Sequence, residues 1–168
     1  MTEPHREDAE QRLWSEIRKT RTGMLGLTGG PPKHMQPMTA FADPEKAELQ
    51  SGAIWFYCRK DNDLLKEAGA GHSAMFTLVA KDDDFVACIA GTVREDQDRA
   101  RIEAFWNPVV AAWYPEGKAD PMLTLLRFDP DDAQVWIGRG GPRFAWEIAK
   151  ANLTKSLPEV GGTTHLNL

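Results

Sequence analysis

FWNPVVAAWYPEGKADP, the stretch from Phe105 to Pro121, places four large aromatic side chains on a short connection that prolines interrupt. It leads directly into a strand-like apolar run, Met122 to Phe128. Large aromatic side chains with a polar edge are favoured where a surface holds a flat ligand or a second subunit. The same residues could instead cap one end of a β-core, and composition alone leaves both alternatives open.

The overall composition fits one folded domain and argues against several functions. The chain has 168 residues, of which 42% are hydrophobic and 27% charged, the usual balance of a folded protein. Its net charge of −5 argues against a nucleic-acid-binding surface, which is normally basic. The N-terminal residues are charged, and no apolar run approaches the length that crosses a bilayer. We therefore expect a cytoplasmic protein that binds neither nucleic acid nor membrane.

The residue pattern predicts a mainly β protein with a helix at each end. Apolar spacing predicts one helix over about residues 8–21 and another over about 142–157. The apolar surface of the second helix is wide, so we expect it to be packed on more than one side. Between the helices, from about 23 to 137, short strands alternate with turns, as in an antiparallel sheet closed into a barrel. No repeat or linker divides the chain, so we expect a single domain over residues 1–168.

Local signals predict several connections within this frame. A short helix is expected from Asp63 to Ala68, and the acidic residues 82–84 are expected to form a solvated turn. Asp96 is a candidate N-cap for the helix that carries Ile102 and Phe105. The Asp129-Pro130-Asp131 stretch predicts a hairpin turn, and the segment from Glu159 to Leu168 is expected to be loose.

The sequence contains no recognisable catalytic or metal-binding motif. A zinc-protease helix, a P-loop and a nucleophile elbow are all missing. Cys58 and Cys88 lie in apolar strands and are expected to be reduced, buried thiols. His34 could face a pocket, although a lone strand histidine is more often structural, and the Gly138–Gly141 loop is short enough to favour a plain connection over an anion site. The remaining alternatives are chemistry carried by a bound cofactor and no chemistry.

Several short motifs follow one another at a specific spacing. They are Gln36-Pro37-Met38, Gly52 to Tyr57, Ala90 to Val93, Phe105 to Pro108, Ala112 to Gly117 with Asp120-Pro121, and Leu125 to Phe128. In this order, over roughly Leu13 to Leu157, they resemble the flavin-binding general stress proteins related to pyridoxamine 5′-phosphate oxidase. The Trp-Tyr-Pro-Glu-Gly and Asp-Pro spacing is the most specific part of the resemblance.

The resemblance implies a split β-barrel of antiparallel Greek-key type that works as a homodimer, with FMN or FAD bound at the subunit interface. It also implies a set of cofactor-binding residues: Gln36, Pro37 and Met38 beside the ring, Trp55, Phe56, Tyr57 and Cys58 along the third strand, Arg59, Lys60, Asp61 and Asn62 in the phosphate loop, and Trp106 and Trp113 from or beside the partner subunit. These residue types suit a flat ring, which favours aromatic and apolar walls with a few polar groups at its edge.

The chain departs from the family pattern at four positions. Gln36 replaces the usual arginine, and Cys58 replaces the usual hydroxyl residue. Asn62 and Leu64 stand where a serine and a lysine are expected. A charge-assisted contact is roughly twice as strong as a neutral one. A lysine at position 64 would therefore tighten FMN binding if that residue faces the phosphate.

Two functions from different classes remain as hypotheses. The first is a flavin-binding general stress protein in which any oxidoreductase activity resides in the FMN or FAD. The alternative is a cofactor-free split-barrel dimer that acts as a binding or interaction protein; a haem or deazaflavin ligand in the same groove is a weaker third hypothesis. Oxidation of pyridoxamine phosphate itself is not expected, because no cationic cluster is placed to hold that substrate's phosphate.

Overall fold

The computed structural model describes residues 6–31, 33–44, 52–138, 142–157 and 161–168. Within these ranges, no helix is long and apolar enough to cross a membrane. The elements follow one another in the order α1 (Arg6–Thr20), β1 (Thr22–Leu27), β2 (Gln36–Ala42), β3 (Ile54–Arg59), α2 (Asp63–Ala68), β4 (His72–Val79), β5 (Phe85–Asp96), α3 (Arg99–Phe105), α4 (Pro108–Ala111), a short 3₁₀ helix (Gly117–Ala119), β6 (Leu123–Gly138), α5 (Pro142–Thr154) and β7 (Gly161–Asn167).

The strands form one antiparallel barrel. Their order is β3-β2-β1-β4-β5-β6, and a further pairing of β3 with β6 closes the barrel. β6 is long enough to pair with two strands along the same edge: residues 123–128 pair with β3, and residues 132–138 pair with β7. The predicted fold class, a mainly β split barrel with flanking helices, is confirmed.

The prediction of a hairpin at Asp129-Pro130-Asp131 is wrong, because β6 continues through these residues. The register shifts where Gly91 pairs with Pro130 and Ala90 pairs with Asp132, so Asp131 is an extra, bulged residue. A bulge tolerates proline because the ladder hydrogen bond is already interrupted there. Gly91 permits the close approach of the strands, since a Cβ at this position would lie 2.3 Å from the Asp129 carbonyl oxygen.

The prediction that the C-terminal segment is loose is also wrong for residues 161–168. β7 pairs with β6 over seven residue pairs, from Gly138↔Gly161 to Asp132↔Asn167. Leu166 is fully buried, and the Arg6 guanidinium donates a hydrogen bond to the Asn167 carbonyl at 3.2 Å. The edge of β6 therefore imposes strand structure on a segment whose own sequence favours turns.

Two further helix predictions need correction. The N-cap of α3 is Asp98 rather than Asp96: the Asp98 carboxylate accepts hydrogen bonds from the backbone N–H groups of Ala100 and Arg101. Asp96 instead accepts a hydrogen bond from the Asp98 backbone. α5 is not packed on several sides, because Trp146 is 66% exposed and Phe144 is also exposed.

Two hydrophobic clusters lie on opposite faces of β3. Ile54, Phe56 and Cys58 belong to the main cluster, which fills the barrel beneath α1 and α2. Trp55 belongs to a second cluster outside the barrel, where Tyr57 packs against it. This alternation follows from the two-residue period of a strand. It places the aromatic segment of α3, α4 and the residues after them over the outer face of β3.

Candidate functional site

A groove of about 640 Å³ lies between the sheet and the aromatic segment. Its floor comes from Thr22 at the start of β1, Pro37 to Phe41 of β2 and Tyr57 to Arg59 of β3, and its other wall comes from residues 107–114. This volume is in the usual range of small-molecule sites. A larger, open cleft of about 800 Å³ beside α1 is lined mostly by charged and polar side chains. That lining suits a flat aromatic ligand less well.

The wall formed by residues 107–114 (hereafter the lid segment) is built from local signals. Asn107 caps α4, because its side-chain oxygen accepts hydrogen bonds from the backbone N–H groups of Val109 and Val110, and Pro108 fits the first helical turn. Tyr114 packs against Trp106 and Tyr57, with ring centres 6.3 and 6.4 Å apart. Most rings of the aromatic stretch therefore cap the outer face of the barrel, as one alternative expected, while Trp113 stays 69% exposed at the groove.

α3 ties the lid segment to the barrel through a partly buried ionic contact. The Arg101 guanidinium pairs with the Asp43 carboxylate and lies over the Trp55 ring, 4.4 Å from its centre. The Trp55 indole N–H in turn donates to Asp96 at 3.2 Å. Three elements that are distant in sequence are thereby joined at one point beside the lid segment.

The structure brings together eight of the residues predicted to bind a cofactor. These are Pro37, Met38, Tyr57, Cys58, Arg59, Asp61, Asn62 and Trp113. The other five lie outside the groove lining. Gln36 is next to it through a hydrogen bond with Asn62, and Trp106 packs against Tyr57. Trp55 and Phe56 are buried in the two clusters, and Lys60 lines a separate small cavity. Lining the groove does not test whether any of them contacts a flavin, so these roles stay predictions.

The loop expected to bind phosphate has few free side-chain donors. The Asn62 oxygen accepts the Leu64 backbone N–H at 2.8 Å and so caps α2, while its side-chain nitrogen donates to the Gln36 oxygen at 3.0 Å. Leu64 is only 5% exposed and belongs to the main cluster. A lysine at position 64 would therefore enter the core instead of reaching the groove. Arg59 remains, paired with Asp61 at 3.2 Å.

Burial keeps the Cys58 thiol and the Tyr57 phenol of the groove protonated. Burial raises the pKa of the Cys58 thiol to about 12 and that of the Tyr57 phenol to about 12. The Tyr57 hydroxyl donates to the Ile102 carbonyl at 2.7 Å, so it is held by the protein. The hydrogen bond to Asp61 raises the pKa of Arg59, and the same contact lowers that of Asp61. These groups suit binding and orientation of a ligand and not nucleophilic attack at neutral pH.

The prediction that both cysteines are free, buried thiols holds fully only for Cys58. Cys58 and Cys88 are both free, Cys58 is buried, and Cys88 is partly exposed.

Asp82 to Asp84 form the turn between β4 and β5, as expected, and the Asp84 carboxylate accepts a hydrogen bond from Arg12 at 2.7 Å. His34 precedes β2 and is exposed, whereas residues 139–141 of the predicted glycine loop lie outside the described residues.

Sequence reasoning missed several polar residues of the groove, among them Arg21 and Tyr114. Arg21 follows α1 with a positive φ of 61°, and its guanidinium lies 5.5 Å from the centre of the Phe41 ring. The sequence pattern assigned it only to the helix end. Tyr114 was recognised as part of the aromatic stretch but not as a groove residue. Its hydroxyl, the polar edge of an otherwise apolar ring, was the available signal.

Comparison with known proteins fixes the family. The sequence matches the family described as pyridoxamine 5′-phosphate oxidase like over residues 8–159. The chain belongs to this family. A candidate general stress protein 26 from Jannaschia sp. CCS1 has a similar structure, with a TM-score of 0.80 and 33% identity over 97% of this chain and 99% of that chain. The general stress FMN/FAD binding protein of Xanthomonas citri is 40% identical, with a TM-score of 0.73 over 80% of this chain and 92% of that chain. The resemblance to general stress proteins of the oxidase-like family is confirmed.

Curated relatives outside these structures match over shorter parts. Oxidoreductase AgnL4 of Paecilomyces divaricatus is 30% identical over 120 residues, which are 71% of this chain and 41% of that protein. A dihydroorotase of Allorhizobium ampelinum is 34% identical over 83 residues, which are 47% of this chain and 23% of that protein. The chain thus spans less than half the length of these curated relatives.

Proposed function

We propose that this member of the oxidase-like family binds a flavin, FMN or FAD, in the groove between the sheet and the lid segment. The observation that carries the proposal is the shared location of eight expected contact residues from β2, β3, the loop after β3 and the lid segment. The Xanthomonas citri protein, named as FMN/FAD binding, supports the same assignment. We place the protein in the cytoplasm, as composition predicts.

The residues present fit a flavin. Trp113, Met38 and Tyr57 offer apolar and aromatic surface to a flat ring, and Arg59 offers a cation where the phosphate is expected. When bound, a flavin supplies hydride or electron transfer, and the protein supplies position and electrostatics. The protonated Cys58 thiol and Tyr57 phenol add no competing anion beside the ring.

We propose further that the protein works as a homodimer with the groove at the subunit interface. Val109 and Trp113 are exposed apolar residues on the lid segment at the groove. Neighbouring exposed apolar side chains of this size are typical of surfaces that bind a partner. A second subunit over this surface would also shield a bound ring from water. Sedimentation tests this proposal, and a monomer at micromolar concentration would contradict it.

The experiment for flavin binding is a titration. The purified protein is inspected for flavin absorbance, and FMN and FAD are then titrated while flavin fluorescence is followed. We expect Trp113→Ala to weaken binding roughly two- to tenfold, the range of an aromatic contact. Trp146→Ala is the matched control, because Trp146 is similarly exposed but lies on α5 outside the groove.

Absence of binding by the wild-type protein at high micromolar flavin would overturn the proposal. It would favour the cofactor-free barrel that acts as a binding or interaction protein, a function that the buried Leu64 and the engaged Asn62 side chain would then explain. Equal affinity of the Trp113 and Trp146 variants would instead show that the ligand binds elsewhere on the protein.

A further inference from the structure

Tyr114 carries a polar group that the protein itself does not use. The residue is only 4% exposed and lines the groove. Within the part of the chain that the structure describes, its hydroxyl makes no hydrogen bond, and the oxygen is not sealed in the interior. Contacts with Trp106 and Tyr57 fix the plane of the ring. The hydroxyl is therefore held at the groove in one orientation.

The hydroxyl is not needed to fill this space, because phenylalanine would occupy the same volume. Since the oxygen is open to the groove, water reaches it in the ligand-free protein, and a ligand atom that accepts a hydrogen bond would replace that water. Tyr57 differs, since its hydroxyl donates to the Ile102 carbonyl at 2.7 Å. The Tyr114 hydroxyl is best explained by a hydrogen-bond acceptor that binds in the groove.

The neighbours of Tyr114 indicate which part of a ligand this acceptor belongs to. Burial, with a further contribution from Cys58, raises the pKa of Tyr114, while Arg59 lowers it. The phenol is thus protonated at neutral pH and lies in the field of the Arg59 guanidinium. Arg59 opens the loop in which the resemblance places the phosphate, and the Asn62 side chain in that loop is already engaged.

Two carboxylates also lie in this region, and neither blocks an anion. The Asp61 side chain is exposed and paired with Arg59, whose guanidinium is itself solvent-accessible and can turn toward a stronger acceptor. The buried Asp120 carboxylate accepts backbone hydrogen bonds from Met122 at 2.9 Å and from Glu116 at 3.4 Å. Its charge is therefore partly neutralised by backbone dipoles.

We propose that Tyr114 donates a hydrogen bond to a phosphate oxygen of the bound flavin nucleotide, next to Arg59. The inference rests on the proposed flavin binding and assigns the lid segment a role in recognising the phosphate. Tyr114 thereby supplies a donor to replace those that Asn62 and Leu64 do not offer.

The test combines one variant with two ligands. Tyr114→Phe removes only the hydroxyl, and riboflavin is FMN without its phosphate. We expect the variant to bind FMN roughly ten- to a hundredfold more weakly than wild type, because hydrogen bonds to charged groups are the strong ones. Riboflavin affinity is expected to change less than about twofold.

Stability of the ligand-free protein provides a second readout. Tyr114→Phe should leave the melting temperature unchanged or raise it, because no protein hydrogen bond is lost. Tyr57→Phe should lower it, because the Ile102 carbonyl loses its donor. In wild-type protein labelled with 3-fluorotyrosine there are two ¹⁹F signals, one for each tyrosine. The Tyr114 signal should move with FMN and much less with riboflavin, whether or not the variant folds.

The outcomes separate the two proposals. Equal weakening for both ligands would show that the hydroxyl acts on the ring or supports the lid segment, and would overturn the phosphate assignment. Unchanged FMN affinity in the variant, or a fluorine signal that responds equally to both ligands, would overturn it as well. If wild-type protein binds none of FMN, FAD and riboflavin, flavin binding itself is refuted.

Discussion

The inner and outer faces of β3 both carry aromatic side chains, but these side chains are covered by different elements and make different contacts. On the inner face, Phe56 is fully buried and packs against Phe76 with ring centres 5.1 Å apart. On the outer face, Trp55 and Tyr57 are covered by α3 and the lid segment. The inner contacts are between carbon atoms, whereas both outer rings also make a hydrogen bond through their polar edge.

Because of this difference, we expect the inner face to contribute mainly to stability and the outer face to ligand recognition. The inner face is sealed by the barrel and by α1, so its packing contributes mainly to folding. The outer face is covered by short helices held through polar contacts, and the cover leaves a groove of about 640 Å³. Segments with few buried apolar contacts open at lower free energy than the core. We therefore expect the lid segment to open without unfolding of the barrel.

The largest effect should come from the inner face. Phe56→Ala is expected to lower the free energy of unfolding by about 3–5 kcal/mol, the usual range for a buried phenylalanine. Phe105→Ala is the matched variant on the outer face, where Phe105 is half-buried against Phe41 and Trp55. Urea unfolding of both variants measures the difference, and an equal loss for Phe105→Ala would contradict the contrast between the two faces.

A smaller effect should follow when α3 is released from the barrel. Arg101→Met removes the cation beside Asp43 and the contact with the Trp55 ring, and we expect a loss of about 1–3 kcal/mol. Hydrogen exchange should show lost protection in α3 and α4 but not in β4 or β5. Lys118→Met is the control, because its pair with Glu103 is exposed and contributes about 0–1 kcal/mol. Loss of protection spread evenly over the barrel would disprove a separate outer layer.

The smallest effect concerns alkaline pH. Burial, followed by the charge of Glu103, raises the pKa of Tyr57 from 10.0 to about 12. The folded protein therefore holds this proton more tightly than the unfolded chain, and the stabilisation is complete below pH 10 and is lost as pH rises toward 12. Allowing for partial exposure, we expect a loss of about 1 kcal/mol by pH 11. Cys58 and Tyr114, whose pKa values burial also raises, lose stabilisation in both proteins. Urea unfolding from pH 8 to 11 should therefore show a loss about 1 kcal/mol smaller in Tyr57→Phe than in wild type; parallel profiles would refute the assignment.

Much of the fold could be predicted from local sequence. The α2 helix was predicted from Asp63 to Ala68 and has those bounds, because a capping asparagine and a closing glycine define it locally. Pro37, which the family motif placed beside the ring, lines the groove. β6 was not predictable in the same way, because the tolerance of Pro130 depends on the bulge opposite Gly91 in another strand.

The candidate site shows the same limit. Residues of β2 and β3 were predicted because strand alternation and the family motifs are both local in sequence. The orientation of Leu64 could not be predicted, because whether this residue faces the phosphate or the core depends on how α2 packs on the barrel. Arg21 and Tyr114 were missed as groove residues because only the tertiary fold brings the end of α1 and the lid segment to the same cavity.

The position of β7 has a consequence for biosynthesis. The outer half of β6 has β7 as its only partner on one edge within the described residues, and Arg6 of α1 contacts Asn167 across most of the chain. A nascent polypeptide must therefore be translated beyond Leu166 before that edge is satisfied. Until then the unpaired edge is open to association with other chains, so chaperone capture during translation would act on this half of the barrel.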